Sequence, residues 1–251
     1  MNRAVLARSL HKWFGLIIGL QILIWLATGL YMVVLDLDFI HGDPLVKNMQ
    51  QAVTAPDSSL LSMDTLRSKY PDASRIDLKS VLGKPVYTVT TPDTRYLLDS
   101  ETGAVISPLN EKTARDIATF HFNGNARILS ASLITTDPPK EIQTRRLPLW
   151  RIDFDDRFST SFYIDPYTGR LATRRHQYWR IFDFMWMLHI MDYEDRTDAH
   201  NLLLKTAQLT GLTFAITGAW LLLYSFSGRR KKKVSGKLWC SLKSCTNGLV
   251  C

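Results

Sequence analysis

WFGLIIGLQILIWLATGLYMVVL, residues 13–35, is an uncharged apolar stretch of 23 residues that decides how the rest of the chain is placed. A second uncharged stretch of 23 residues, TAQLTGLTFAITGAWLLLYSFSG, occupies residues 206–228. A helix of this length measures about 35 Å, and the hydrocarbon core of a bilayer is about 30 Å thick. Because a chain in lipid must satisfy its own backbone hydrogen bonds, both stretches are predicted to be transmembrane helices.

The charges on the two ends of the chain predict its orientation. Ten basic residues and no acid lie outside the two apolar stretches at the ends: Arg3, Arg8, Lys12, Arg229, Arg230, Lys231, Lys232, Lys233, Lys237 and Lys243. The other 21 basic residues and all 23 acidic residues lie in or beside the middle segment, which therefore carries a net charge of −2. Positive flanks stay in the cytoplasm, so both termini are predicted inside and residues 36–205 outside.

The basic run that follows the second stretch favours contact with lipid headgroups over nucleic acid. The first stretch has no small-residue cleavage site after it, so it is predicted to be a retained anchor rather than a signal peptide. All three cysteines, Cys240, Cys245 and Cys251, belong to the last twelve residues. The external segment therefore has no disulfide, and the cysteine-containing tail is expected to be reduced and disordered.

An internal repeat organises the external segment. Each half has short strands of alternating apolar and polar residues, followed by an Asp-x-x-Thr-Gly turn, at Asp99–Gly103 and again at Asp165–Gly169. The Asp and Thr side chains can bond the turn backbone, and Gly supplies the positive φ. A helix is expected before each set of strands, ending at Pro71 in the first half and covering residues 111–120 in the second.

These observations predict an α+β membrane protein with two transmembrane helices flanking two units of helix plus antiparallel sheet. The predicted boundaries are a cytoplasmic N-terminus (1–12), the first transmembrane helix (13–35), the first repeat (36–108), the second repeat (109–175), an interfacial amphipathic segment (176–199), the second transmembrane helix (200–228) and a basic cytoplasmic tail (229–251).

Several motifs resemble one family. The turn from Tyr163 to Leu171 is similar to the end of a PepSY domain. His11-Lys12-Trp13 with the later Thr28-Gly29, and Trp186-Met187-Leu188-His189 with the later Thr217-Gly218, resemble the helices of PepSY-associated transmembrane proteins. The resemblance covers residues from about Arg3 to Phe226.

The resemblance implies a function. Larger members of the family include siderophore-iron reductases of the bacterial inner membrane, with more spans and b-type haem, and the two-span layout resembles accessory proteins that reduce ferric iron to feed ferrous uptake. It therefore implies an inner-membrane ferric reductase-like oxidoreductase with haem b as cofactor and iron as substrate. The implied partners are a membrane electron donor and a ferrous-iron or siderophore transport system. With two spans per chain, a transmembrane electron path requires a homodimer.

The histidines are placed where haem ligation would need them, because four of the six lie at or near the ends of the two spans. His11 begins the first span and is followed by Gly15 and Gly19 on the same face, which serve either close helix packing or a bound macrocycle. His200, with Ala207, Gly211 and Ala215, repeats this pattern on the second span. Asp198 is the predicted N-cap of that helix.

His189 ends an amphipathic aromatic stretch and is predicted to meet His200 at an outer haem, while His11 holds an inner one. A twofold axis would bring two copies of each histidine together. His41, near the outer end of the first span, is a candidate haem ligand, or with Asp43 a candidate ligand of an iron ion. His121 is expected to be structural and His176 exposed.

Nucleotide-binding, phosphate-binding, zinc-protease and serine-hydrolase motifs are not found in the sequence. The cytoplasmic ends are too short to bind a nicotinamide or a flavin, so electrons would come from a separate donor. The alternative function is a membrane-anchored PepSY module without a redox centre, which binds or regulates a periplasmic or membrane partner.

Overall fold

The structure, a computed structural model, describes the backbone of residues 3–11 and all atoms of residues 12–47 and 60–219. The chain divides into two compact units. The helical unit comprises the described residues of Met1–Gly29 and Met187–Cys251, and the sheet unit is Leu30–Trp186.

One long helix, α1 (Arg3–Val34), begins the chain. Its segment Lys12–Val34 has a mean hydropathy of 2.1, and only 6% of its most apolar window is buried. Large apolar side chains such as Leu16, Leu23 and Leu26 are more than 60% exposed. An apolar helix that is not buried by protein suits lipid rather than a soluble core, and in the described residues this is the one helix that meets the length and composition of a membrane span. The first predicted span is therefore supported at its predicted position.

A second helix of the helical unit, α6, covers residues 202–219. It includes the first part of the second predicted span, and residues 220–228 of that span lie outside the described residues. Asn201 caps α6, because its Oδ1 accepts the Leu204 N–H at 2.8 Å. The prediction of Asp198 as N-cap was wrong, since its carboxylate instead accepts the His200 N–H, two residues on, at 2.7 Å.

The first half of the sheet unit contains two short helices and a three-stranded antiparallel sheet in the order β1-β2-β3. Helix α2 is Leu37–His41, followed by a 3-10 turn at Asp43–Leu45. Helix α3 (Met63–Lys69) is capped by Ser62, whose Oγ accepts the Thr65 N–H. The strands are β1 (Arg75–Val81), β2 (Lys84–Thr90) and β3 (Arg95–Asp99).

The second half has one helix before a four-stranded antiparallel sheet in the order β4-β5-β6-β7. Helix α4 (Glu111–His121) is capped by Asn110. The strands are β4 (Ile128–Ile134), β5 (Leu149–Phe154), β6 (Ser161–Ile164) and β7 (Leu171–Arg175), with a 3-10 turn at Lys140–Ile142 after β4. Helix α5 (Gln177–Ile190) follows directly. The mixture of helix and antiparallel sheet matches the predicted class, and β1 and β4 are strands that the sequence pattern did not indicate.

Both Asp-x-x-Thr-Gly turns have the predicted chemistry. In the first, the Asp99 carboxylate accepts the Thr102 N–H at 2.9 Å, and Gly103 has φ +67°. In the second, Asp165 accepts the Tyr167 N–H at 2.9 Å, and Gly169 has φ +64°. The carboxylates thus satisfy turn amides while glycine adopts the left-handed conformation that other residues avoid.

The two sheets share one hydrophobic core with α4. Leu97 of β3, Ile117 of α4 and Phe162 of β6 are all at most 1% exposed within it. Arg95 of β3 also bonds the Asp165 carboxylate at 2.6 Å, which ties the first sheet to the turn of the second. The two halves are therefore one packed unit, and their descent from a repeated sequence stays a prediction.

Candidate functional site around His189

His189 is the predicted ligand whose surroundings are most informative. It is the penultimate residue of α5 and belongs to the helical unit, where its Nδ1 lies 2.9 Å from the Thr28 hydroxyl of α1. Thr28 is only 2% exposed. The structure therefore joins the His-bearing segment to the Thr-Gly pair of the first span.

The hydrogen bonds of the Thr28 hydroxyl favour one tautomer of His189. Its Oγ lies 2.8 Å from the Ile24 carbonyl and 3.2 Å from the Trp25 carbonyl, and these backbone acceptors take the single hydroxyl proton. The Thr28 oxygen then accepts from the imidazole, so Nδ1 carries the proton. In this tautomer Nε2 has a free lone pair, which is the arrangement found in histidines that bind metals.

Two neighbours on α1 fix the His189 backbone and border its ring. Trp25 donates its indole N–H to the His189 carbonyl at 3.0 Å. A Cβ added to Gly29 would lie 3.6 Å from Cε1 of His189, which is ordinary van der Waals contact. Trp25, Thr28 and Gly29 therefore form one face of α1 that holds His189 through both its backbone and its side chain.

Gln21 is a polar side chain that the sequence analysis missed. It lies on the same face of α1, four residues before Trp25 and seven before Thr28. Its Nε2 is buried and has no hydrogen-bond partner among the described residues. Buried amides are rarely left unpaired, so this group is available to a ligand or to a second chain. The signal was present, because Gln21 is the one amide in the first apolar stretch.

His11 is in α1, but its side chain lies outside the described residues. It precedes Thr28 by 17 residues of continuous helix, or about 26 Å along the axis. His11 and His189 of one chain are thus too far apart to ligate the same iron. Separate inner and outer haem positions for these two histidines stay a prediction.

His200 is exposed and lies in the turn before α6. The loop that joins it to His189 folds back on itself, because Asn201 donates its amide to the Ile190 carbonyl at 2.9 Å. Ile190 and Asn201, the residues that follow the two histidines, are therefore hydrogen-bonded to each other. The described contacts of the His189 ring are instead with α1. A shared haem for His189 and His200 stays a prediction.

Asp192 organises this loop. Its carboxylate accepts backbone N–H groups from Glu194, Asp195, Thr197 and Asp198, and the hydrogen bond from Asp198 is the largest of the causes that lower the Asp192 pKa. These bonds favour the ionised carboxylate. Asp192 therefore shapes the loop before His200.

His41 and Asp43 lie side by side at the end of α2. His41 is exposed, and its carbonyl accepts from Nε of Arg174 at 3.1 Å. The same Arg174 forms an ion pair with the Asp43 carboxylate, so Asp43 is already neutralised by a cation. In the described ranges, no three His, Cys, Asp or Glu side chains are grouped closely enough to hold a metal ion. An iron site at His41 and Asp43 stays a prediction.

His176 is buried, so the prediction that it is exposed was wrong. Only 1% of the residue is accessible, and Nε2 lies 2.9 Å from the Phe39 carbonyl and 3.1 Å from the Ile40 carbonyl. Burial lowers the pKa of this imidazole, while its Nδ1 has no partner in the described part of the chain. The preceding Arg174 and Arg175 suggested a solvated segment, but the ring packs among Phe39, Phe158 and Tyr178.

His121, at the end of α4, is half-buried beside Phe120. Burial lowers the pKa of this histidine as well. Its position at the helix end, with its carbonyl accepting the Lys47 N–H at 2.9 Å, agrees with the structural role expected for it.

A groove of about 410 Å³ lies between α1 and α6. Phe14 and Ile18 line it from α1, and Thr213 and Phe214 from α6. The hydroxyls of Thr210, Thr213 and Thr217, which also line the groove, are each bonded to a carbonyl of their own helix. A Cβ on Gly15 would lie 3.1 Å from Phe214, whereas Gly19 has nothing within 4 Å. The two glycines of the first span therefore differ in role, and only Gly15 permits the helix contact.

The helix that carries His189 is also anchored at its other end, within the sheet unit. Arg180 of α5 donates from Nε to the Glu141 carboxylate at 2.8 Å and from Nη2 to Ser161 Oγ at 2.9 Å. Tyr163 donates its hydroxyl to the same Glu141, and burial is the main cause that raises the Tyr163 pKa. The side chain of Glu141 is 11% exposed, so a largely buried ion pair holds the first turn of α5.

These features define a membrane-associated protein in which one long apolar helix accompanies an α+β unit of two antiparallel sheets. The family model for the PepSY-associated TM region matches residues 8–242. The chain therefore belongs to the PepSY-associated transmembrane family. No curated protein and no solved structure matches the chain.

Proposed function

We propose that this protein is an inner-membrane redox protein that passes electrons through b-type haem to ferric iron on the periplasmic side, in support of iron uptake. The observation that carries the proposal is the Thr28–His189 contact of 2.9 Å. We assign the proton to Nδ1 in this contact, an assignment that leaves the lone pair of Nε2 for a metal. Bound haem supplies a one-electron redox centre, and neutral imidazole is a common axial ligand for it.

The proposed ligands occupy two levels of the membrane. His189, with His200 or a second copy of His189, would hold an outer haem, and His11 would hold an inner one about 26 Å along α1. Within the described residues, the groove lined by Phe14 and Thr213 contains no histidine, cysteine or methionine, so it offers shape but no iron ligand. The buried Gln21 amide faces the same side of α1 as Thr28 and would donate to a polar edge of the bound group.

The proposed topology has two spans, with both termini in the cytoplasm and residues 36–205 in the periplasm. The basic flanks and the net charge of −2 between them support this orientation. A homodimer would supply four spans and pair each histidine with its twin across a twofold axis. A membrane donor inside, and a ferrous-iron or siderophore transport system as the recipient, complete the proposal.

The visible spectrum of the full-length protein in detergent tests the haem. We expect a Soret band that shifts on reduction with dithionite and sharp α and β bands. His189→Ala should remove or alter this spectrum, whereas His121→Ala, at a histidine of the sheet unit, should leave it unchanged. A featureless spectrum from folded wild-type protein, or identical spectra for both variants, would contradict the proposed role of His189.

The alternative is a membrane-anchored PepSY module without a redox centre, and the same contact favours it in one respect. His189 is bonded to Thr28 through its side chain and to Trp25 through its carbonyl. These two hydrogen bonds give His189 a structural role that requires no haem. In that case His189→Gln would preserve the partner-binding function, while changes on the sheet unit would abolish it.

A further inference from the structure

A polar cleft of about 190 Å³ lies where the first half of the sheet unit meets the second. The first half contributes residues 90–95, at and beside the turn between β2 and β3. The second half contributes Arg146 and Leu147, which precede β5, and Tyr167 of the second Asp-x-x-Thr-Gly turn. A cleft of this volume has room for several water molecules and therefore for a small organic ligand.

Arg146 is a cation that lines this cleft without a partner. Its side chain is exposed, and its guanidinium forms no ion pair or hydrogen bond with the residues that the structure describes. Asp93 is the one carboxylate among the described lining residues, and it does not pair with Arg146. The charge of Arg146 is therefore available to an anion that enters the cleft.

Arg95 supplies a second guanidinium, which is held in place from one side. Its Nη1 donates to Asp165 Oδ2 at 2.6 Å, and Asp165 Oδ1 accepts the Tyr167 N–H at 2.9 Å. The side chain of Asp165 is 11% exposed, and this carboxylate orients Arg95 without lining the cleft itself. The Nε and Nη2 donors of Arg95 have no partner among the described residues. These two donors form the edge of a guanidinium that can hold both oxygens of one carboxylate.

Hydroxyl groups add neutral donors to the same cleft. Thr94 and Tyr167 both line it, and their side-chain hydroxyls make no hydrogen bond within the described part of the chain. The Thr91 hydroxyl, by contrast, is already bonded to the Thr94 carbonyl at 2.9 Å. A free threonine or tyrosine hydroxyl can donate to an oxygen anion. The unpaired side chains of the cleft are thus mainly donors, and they suit a ligand with several acceptor oxygens.

We propose that this cleft binds a small polycarboxylate anion, with Arg146 and the free edge of Arg95 each holding one carboxylate and Tyr167 donating to a remaining oxygen. The planar fork of arginine matches a carboxylate better than the point charge of lysine does. Two such forks on separate segments favour a ligand with two or more carboxylates over a single small anion. The site belongs to the sheet unit and goes beyond the proposed redox function, because binding there requires no haem.

Isothermal titration calorimetry with citrate, a tricarboxylate, tests the site in the full-length protein in detergent at low ionic strength. We expect saturable binding of citrate to the wild type. Arg146→Gln should weaken this binding about tenfold, because it removes charge-assisted hydrogen bonds to the anion. Arg145→Gln is the matched control, since it removes the neighbouring exposed cation, which does not line the cleft. It should change the affinity by less than about twofold.

A variant that should bind more tightly completes the test. Asp93→Asn should strengthen citrate binding about threefold, because it removes the carboxylate that repels the anion. A gain in affinity cannot be produced by a folding defect. The proposal would be overturned by wild-type protein without saturable citrate binding, by equal losses in Arg146→Gln and Arg145→Gln, or by weaker binding in Asp93→Asn. Binding of inorganic phosphate at least as tight as that of citrate would overturn the assignment to a polycarboxylate.

Discussion

At the scale of single residues, the orientation of His189 depends on the Thr28 hydroxyl. Thr28→Val keeps the shape of the side chain but removes the acceptor for Nδ1–H. A buried polar group left without a partner costs about 1–3 kcal/mol, so we expect the free energy of unfolding in detergent to fall by about 1–2 kcal/mol. Chemical denaturation followed by circular dichroism measures the change.

Thr28→Ser is the matched control for this prediction, because it keeps the hydroxyl and loses only a methyl group. Its stability should lie much closer to that of the wild type. Equal stability of Thr28→Val and Thr28→Ser would show that the contact with His189 does not hold the helices together.

His176 predicts a dependence of stability on pH. Burial lowers its pKa below the ordinary 6.5, and the same cause lowers the pKa of His121. The unfolded chain then binds protons more readily than the folded one. Stability is therefore full above about pH 6.5 and decreases as the pH falls through the lowered pKa values of the folded state.

The loss of stability between pH 7.5 and pH 5.5 should be smaller in His176→Gln than in the wild type. Some dependence should persist, because His121 contributes with the same sign. Denaturation at the two pH values measures both effects, and His176→Gln/His121→Gln is the variant in which the dependence should be smallest. An unchanged loss in His176→Gln would contradict the role assigned to this buried imidazole.

The sequence predicted which residues have polar roles more accurately than it predicted which residues are buried. His189 and the Thr-Gly pair were identified from motifs, but their hydrogen bond depends on two segments 161 residues apart. Neighbouring arginines made His176 look exposed, although their side chains turn to Asp43 and Trp179 while the imidazole turns inward. Burial is set by tertiary packing, which the neighbours in sequence do not encode.

At the scale of elements, alternation and turn chemistry predicted five of the seven described strands at least in part and missed β1 and β4. β4 was missed because its apolar and polar residues do not alternate strictly, and the register shift within it breaks the period of two. The cap of α6 was misplaced for a related reason. Asp198 and Asn201 are both good caps, and only the three-dimensional course of the loop selects Asn201.

The start of α5 provides a prediction at this scale. Glu141→Ala leaves the Arg180 guanidinium without its carboxylate partner. The side chain of Glu141 is only 11% exposed, and that of Arg180 is 26% exposed. Removing one partner of a buried pair costs about 3–5 kcal/mol, and the partial exposure of Arg180 places the expected loss near the lower value. Thermal unfolding of the detergent-solubilised protein measures it.

The double variant Glu141→Leu/Arg180→Met should recover a large part of that loss, because it removes both charges together. Glu111→Ala is the matched control, since it breaks an exposed ion pair with Arg115 on α4 and should change stability by less than about 1 kcal/mol. No recovery in the double variant would mean that Glu141 acts chiefly through Tyr163 rather than through Arg180.

At the scale of the whole molecule, the sequence predicts a sharp division between a membrane part and an external part. The structure agrees to the extent that an exposed apolar helix and a packed sheet unit occur in one chain. Hydropathy predicts this division well, because the bilayer imposes length and composition on any segment that crosses it. The side of the membrane on which each part lies is instead a consequence of charges at the ends, and it can be tested directly.

The proposed topology predicts which cysteines a membrane-impermeant maleimide reaches in cells with a permeabilised outer membrane. Glu101→Cys places a thiol at an exposed turn of the sheet unit, and Cys240, Cys245 and Cys251 are internal controls in the same chain. With residues 36–205 outside, Cys at position 101 should be labelled at once. The three native cysteines should react only after the inner membrane is disrupted. The proposed topology has both ends in the cytoplasm. Labelling of the tail in intact spheroplasts would contradict it, either because the second stretch does not cross the bilayer or because the orientation is reversed.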